Sequence, residues 1–382
     1  MYNPRNGIHS NSRKSHVTTA HTAKKNLPQL RRISFMEALL SASILAIAAA
    51  LLGASPVLVF VLACLGLIPL AGQLGQATEV LAAQAGPRIG GLLNATLGNA
   101  AELIITLVAI REGLLELVKA SITGSIIGNL LLVLGFSLLL GGKKNGVQKF
   151  SRETAGRYAT LLALAVVALS VPSFFQQSLG APEAARVEYL SLGVAATMIV
   201  IYVLGLVYSL RGRDGMLHPP AAAEAGVKRE GIWGAVIRLT AATVGVVILS
   251  EILVGVIEPV VETLGVSQFF LGIVLVPVIG NVAEHLVAVD VARRNQVELS
   301  LEIALGSSLQ IALFVAPLLV FLSLLLGHPL TLVFHPFGTM ALAAAVVIAA
   351  LISMDGRSNW LEGSVLLAVY AILGLAFFLL PF

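Results

Sequence analysis

Charge is scarce in this chain: lysine, arginine, aspartate and glutamate make up 12% of 382 residues, against 57% hydrophobic. With a mean hydropathy of +0.94, that balance excludes an ordinary soluble domain, in which about a quarter of residues are charged. Cysteine is nearly missing: the single thiol, Cys64, forms no internal disulfide and leaves the redox compartment unread. Acids are missing altogether from positions 1–32, which carry Arg5, Arg13, Lys14, Lys24, Lys25, Arg31 and Arg32. The apolar run behind them is too long for a secretory signal, so this arm reads as a basic cytoplasmic tail ahead of an organelle leader or a lipid-headgroup contact. The G-x-x-x-x-G-K-[ST] loop is missing too, and with it the phosphate cradle of an ATP-driven pump. "NVAEH" at 281–285 falls one residue short of the H-x-x-E-H metalloprotease pattern, because position 281 is Asn.

What is present is a succession of apolar runs of about 20 residues, the length of a spanning helix rather than of a barrel strand. Runs and breakers place helices near 33–53, 56–84, 89–111, 117–141, 156–178, 187–210, 232–262, 268–292, 299–326, 329–353 and 359–381. The expectation is an all-α membrane protein of about eleven transmembrane helices. With the N-terminus in the cytoplasm, the inner loops collect the tail, Arg88, Lys143, Lys144, Lys149, Arg152, Arg157, Arg211, Arg213, Lys228, Arg229, Arg293, Arg294 and Arg357. The outer loops hold only Arg111, Lys119 and Arg186, and Arg238 lies just inside the seventh helix. This asymmetry obeys the positive-inside rule and puts the C-terminus outside. Trp233 and Trp360 then start helices seven and eleven at the cytoplasmic interface.

The stretch "GNAAELI" at 98–104 returns as "GNVAEHL" at 280–286, and the match extends beyond both. At a constant offset of 182, Gly98, Asn99, Glu102, Arg111, Glu116, Gly124 and Ser125 fall on Gly280, Asn281, Glu284, Arg293, Glu298, Gly306 and Ser307. Upstream, Glu79 in "ATEVL" resembles Glu251 in "LSEIL" once an insertion is allowed in the second copy. The third helix runs outward and the eighth inward, so the copies are inverted, an arrangement common in secondary transporters. The expected organisation is a tail at 1–32, an extra N-terminal helix at 33–55, repeats at 56–210 and 232–382, and a cytoplasmic linker at 211–231.

An acid at the bilayer centre costs about 3 kcal/mol on insertion scales, so an intramembrane Glu signals function. Glu102 and Glu284, brought together by a pseudo-two-fold axis, repel unless a cation or a proton sits between them. Asn99 and Asn281, three residues earlier on the same helical face, offer amide oxygens. The following helices offer Ser125, Asn129, Ser307, Ser308 and Gln310. Gly98, Gly280 and Pro277 are expected to break the motif helices and free backbone carbonyls. A donor set made only of oxygen suits calcium rather than zinc or copper. Calcium and protons competing for the same carboxylates at a site open alternately to each side would suffice for exchange. His285 has Leu103 as its counterpart, which leaves it open as a packing residue or a proton handler. Asp290 reads as an end-of-helix residue beside Arg293 and Arg294.

With these residues in view, the chain resembles the CAX-type cation/proton exchangers of the wider cation/calcium exchanger superfamily. The resemblance rests on "LGQATEVLA", "GGLLNATLGNAAELI", "GSIIGNLLLVLG", "VPVIGNVAEH" and "GSSLQIALFVAP", and runs from about position 70 to the end. It implies an eleven-helix inverted-repeat fold, calcium transport against protons, ligation by Glu102 and Glu284 with nearby Asn, Ser and backbone oxygens, and sliding gate helices carrying Glu79 and Glu251. Ala101 and Val282 depart from the usual motif residues, and the linker holds only Asp214, Glu224 and Glu230 among its bases, unlike the acid-rich linker of many members. The expected partners are Ca2+ and H+ as substrates and the lipid bilayer, with no cofactor and no nucleic acid, and a bacterial inner membrane as host. A same-fold exchanger preferring sodium, potassium or another divalent cation, and a passive cation channel, remain the alternative readings.

Overall fold

A computed structural model of the protein describes residues 27–179, 184–211 and 231–380. Most of the basic tail and of the 211–231 linker therefore lies outside the described residues. The first half runs α1 (Leu27–Leu51), α2 (Pro56–Leu97), α3 (Ala100–Arg111), α4 (Leu115–Ile127), α5 (Leu134–Asn145), α6 (Arg152–Leu179) and α7 (Ala184–Arg211). The second runs α8 (Ile232–Gly255), α9 (Ile257–Leu264), α10 (Gln268–Phe270), α11 (Val276–Arg293), α12 (Val297–Gln310), α13 (Ala316–Leu325), α14 (Pro336–Ser353) and α15 (Trp360–Leu379). Short π-helical segments join α4 to α5 at Gly128–Val133, α10 to α11 at Leu271–Leu275, and α12 to α13 at Ile311–Val315. The first and third of these stand at equivalent places in the two repeats. From Leu39 onward the chain forms one compact unit.

Among the described residues eight helices are long and apolar enough to cross a bilayer. Ile257–Leu264 with Gln268–Val282, bent by 114°, makes a ninth if that pair is taken as one span. The expected count of eleven is not confirmed by length and composition, because some spans that hydropathy reads as continuous are broken and Leu39–Leu51 is short. The third is interrupted at Asn99, whose φ of −98° and ψ of 25° are not helical. The seventh stops at Gly255 instead of 262, and the tenth starts at Pro336 instead of 329. In α2 the helix passes through a kink at Gly86, whose φ of +80° is a region open to glycine, followed by Pro87, which has no N–H to donate. A second departure from the all-helical expectation is a two-residue ladder, β1 (Gln148–Lys149) antiparallel to β2 (Arg357–Ser358).

The most buried spans are Leu115–Asn145 and Val297–Leu325, with 83% and 61% of their apolar windows inside the protein, against 17% for Trp360–Leu379. These two repeat-equivalent helices form the centre, and the others wrap it with lipid-facing surfaces. Loops sort into two ends. At one end β1 meets β2, and Asn145 and Gln148 donate to the Ala292 carbonyl (3.3 and 3.0 Å), satisfying the C-terminus of α11. This end holds the loops expected to be cytoplasmic and basic. At the opposite end the Leu332 and Phe334 amides donate to the hydroxyls of Ser191 and Ser173 (3.0 and 2.9 Å).

His335 at that opposite end caps α14: its Nδ1 accepts the Phe337 amide at 3.2 Å. Burial holds this imidazole below its usual range, with the Glu116 carboxylate pulling the other way. A depressed imidazole contributes stability above its unfolded pKa of about 6.5, and that stability is lost as pH falls through the folded value. A cap of this kind is worth about 1 kcal/mol. Thermal melts of the detergent-solubilised protein should therefore fall between pH 7.5 and 5 in the wild type and fall less in His335→Asn, which keeps a capping oxygen. Equal losses in both would remove His335 from that role.

Candidate ion site

The break at Asn99 starts a new helix at Ala100, and that places Glu102 in the first turn of α3. Unpaired N–H groups at a helix start favour negative charge, so the local fold stabilises a carboxylate there. The Leu103 amide bonds the Asn99 carbonyl at 3.0 Å and closes this turn. The second motif is built differently. Asn281 and Glu284 lie inside α11, which continues through Gly280, so the break expected at Gly280–Asn281 is not there. Pro277 instead occupies the first turn of α11, where its missing N–H costs no helical bond. The irregular backbone is displaced upstream, into the π segment 271–275 and the corner at Gly265.

Glu102 is 4% exposed and sits between the repeats. Its Oε1 accepts from Ser125 Oγ of its own repeat and from Asn281 Nδ2 of the other at 2.5 Å. Glu284 has Ser307 as a hydrogen-bonding neighbour and lies within electrostatic reach of Glu102 and Glu79. Ser307 Oγ is also 3.3 Å from Asn99 Oδ1, and Asn99 Nδ2 donates to Gln310 Oε1 at 2.8 Å. The two asparagines thus differ: Asn281 serves the opposite glutamate, while Asn99 is held by Gln310. Gly280 leaves room for the acid, since a Cβ there would stand 2.9 Å from Glu102 Cγ. Gly98 abuts Gln310 in the same way at a looser 3.7 Å.

The remaining expected residues divide. Asn129 approaches His285 Nε2 through its Oδ1 at 3.2 Å, a contact whose repeat equivalents, Ile311 and Leu103, are apolar. Ser308 is fully buried but donates to the Ala304 carbonyl of its own helix at 2.9 Å, so it is not turned to the carboxylates. Glu79 is partly buried and acts on Glu284. Glu251 is at the far end of α8, ion-paired with Arg111 at 3.1 Å. Asp290 pairs with Arg294 at 2.5 Å, the end-of-helix role read from sequence. Read as a loop charge, Arg111 does not show this part in the sequence; the signal for it is the repeat partner Arg293 at the same offset.

Chemically the arrangement is a pair of acids, Glu102 buried and Glu284 partly buried, with neutral oxygen donors around them. Among the described residues no lysine or arginine lies within 4 Å of either carboxyl. Glu102 Oε2 and Glu284 Oε2 are both buried and have no hydrogen-bond partner among the described residues. A buried oxygen left in that state costs about 1–3 kcal/mol or more for a charged group, a cost that a bound cation or proton removes. Hard divalent cations take six to eight such oxygens, in roughly the mixture of carboxylate, amide and hydroxyl assembled here.

The family model described as "Sodium/calcium exchanger protein" matches residues 55–211 and 234–379. The chain is 45% identical over 337 residues to a Ca(2+)/H(+) antiporter of Aphanothece halophytica, covering 85% of this chain and 90% of that protein. It is also 45% identical over 325 residues to the Ca(2+)/H(+) antiporter ChaA of Bacillus subtilis, covering 84% and 92%. Its fold superposes on the crystal structure of the selenium-substituted Ca2+/H+ antiporter protein YfkE with a TM-score of 0.79 at 39% identity, over 91% of this chain and all of that one. Matches along nearly the whole length, on a helical membrane fold with acids at its centre, establish that the chain belongs to the sodium/calcium exchanger protein family.

Proposed function

We propose that this protein is a secondary active transporter, not an enzyme, that exchanges Ca2+ for H+ by alternating access. The observation that carries the reading is the pair Glu102 and Glu284, each with a buried oxygen that has no hydrogen-bond partner, and no lysine or arginine within 4 Å, among the described residues. Two carboxylates neutralise one Ca2+, and the same two take up protons when the ion leaves, so metal and protons exclude each other from a single seat. The similarity to relatives named as Ca(2+)/H(+) antiporters supports this choice of ions over sodium or potassium. Asn99, Asn281, Ser125 and Ser307 supply neutral oxygens, and α2 with α8, packed together where Gly245 of α8 meets Leu70 of α2, serve as the sliding pair. The basic end faces the cytoplasm of a bacterial inner membrane, with the N-terminus inside.

The test is flux against a gradient. Purified protein in sealed vesicles, with an imposed pH difference and equal calcium on both sides, should accumulate calcium and stop when a protonophore collapses the pH difference. A channel would equilibrate calcium and never accumulate it. Accumulation of sodium or potassium in place of calcium would transfer the same mechanism to the alternative substrate.

A further inference from the structure

The inverted repeats make certain residues equivalent, and at those positions the two ends of the molecule are not in the same condition. Arg111 closes α3 and Arg293 closes α11; Glu251 on α8 matches Glu79 on α2. At the end away from the basic loops, Arg111 Nη1 donates to Glu251 Oε1 at 3.1 Å and ties α3 to α8. At the basic end the equivalent pair is unmade. Arg293 is exposed, and among the described residues neither its guanidinium nor the Glu79 carboxyl has an ion-pair or hydrogen-bond partner, the Arg293 carbonyl alone accepting from Asn145 Nδ2 at 3.3 Å. Glu79 is half-buried, and its charge reaches Glu284.

The backbone shows the same asymmetry. Gly124 of α4 presses on the Ile273 carbonyl so closely that no Cβ fits between them. Its equivalent, Gly306 of α12, has only Tyr158 nearby, and a Cβ there would lie 3.7 Å from the hydroxyl, an ordinary contact. At these equivalent positions, then, the end away from the basic loops carries an ion pair and a close backbone contact that its counterpart does not make.

We propose that Arg111 and Arg293 are alternating latches of the exchange cycle: Arg111–Glu251 holds one end shut in the conformation described, and when the site opens to that end this pair breaks and Arg293 closes on Glu79. The proposal rests on the exchanger reading and extends it. Its chemistry is economical. At the open end the free glutamate stands at the approach to the site and attracts cations or protons, while at the shut end its counterpart is neutralised by arginine. Exposed side chains (53% for Arg111, 45% for Glu251) make each pair weak. Each should bias the equilibrium only about two- to fivefold, and two weak, interchangeable pairs keep the two states close enough in energy to be visited in turn.

Two measurements test this in vesicle-reconstituted protein carrying Cys64→Ser. The first places cysteines by Arg111→Cys with Glu251→Cys, or by Arg293→Cys with Glu79→Cys, and treats each with a short bismaleimide. The 111/251 pair should link in calcium-free protein at symmetric pH. The 293/79 pair should link when calcium and a pH difference drive turnover, its yield rising as that of 111/251 falls. A 293/79 pair that never links while 111/251 does, or two pairs linking with the same dependence on conditions, overturns the swap. The second compares Arg111→Gln with Arg293→Gln: calcium half-saturation measured from the basic end should shift about two- to fivefold in opposite directions. Shifts of the same sign, or none, overturn the proposal. The 111/251 link forms without turnover and calcium accumulation is measured on the same vesicles: a protein that accumulates no calcium loses the exchanger reading, whereas one that accumulates calcium but never links 293/79 loses the latch alone.

Discussion

Replacing Glu102 by Gln is expected to abolish proton-driven calcium uptake while leaving a protein at least as stable as the wild type, and Glu284→Gln to do the same. Glutamine keeps the shape and a carbonyl oxygen, so Ser125 and Asn281 retain an acceptor at position 102. What disappears is the negative charge and the capacity to take up and release a proton. With one carboxylate left, a divalent ion in a low-dielectric site is only half neutralised, and the fall in calcium transport should be at least about 100-fold, or about 2.7 kcal/mol. Stability moves the other way. An acid near the bilayer centre costs about 3 kcal/mol on insertion scales, and the amide removes part of that burden, so melting in detergent should be unchanged or raised. Loss of transport without loss of stability is the signature of a ligand. Either variant transporting calcium at a tenth of the wild-type rate or better would displace that residue from the site.

The paired glutamates were legible in the sequence because a duplicated motif carries its own control: one buried acid invites a local explanation, while two at a fixed offset demand a shared one. The membrane class was legible for a related reason, since long apolar runs and lopsided loop charge are properties of whole segments and survive errors of a few residues. What escaped were features that depend on contact across the fold. Nothing in "GNAAE" and "GNVAE" distinguishes a helix that breaks at Asn99 from one that runs on through Asn281; the difference comes from Pro277 seated at a helix start and from a corner at Gly265 inside the insertion. Ser308 sits where a ligand was expected and bonds to its own helix, because a buried serine can satisfy its hydroxyl on the carbonyl four residues back. The ladder between Lys149 and Arg357 joins loops that only the assembled bundle brings together.

The other large effect is steric. Gly124→Ala should slow transport by about tenfold or more, because a methyl group at that position must displace the Ile273 backbone on which one end of the molecule closes. Overpacking of this kind costs about 1–3 kcal/mol, which moves a two-state equilibrium by about 5- to 150-fold. The destabilised state is the one described, with the end near Ile273 shut, so the variant should populate the opposite conformation. Gly306→Ala is the matched control. In the described state its methyl meets only Tyr158 at an ordinary distance, so folding and calcium binding from the basic end should survive. In the opposite state the same methyl would stand where the inverted repeat brings Gly91, the equivalent of Ile273, against α12, and turnover should fall there instead. Measured together, the two alanines should slow exchange while shifting access in opposite directions, read as labelling of a single engineered surface cysteine near either end. Wild-type transport in Gly124→Ala would mean that Ile273 moves freely and that closure at this end does not depend on the glycine. Equal shifts of access in both variants would mean that the two repeats do not exchange roles through these contacts.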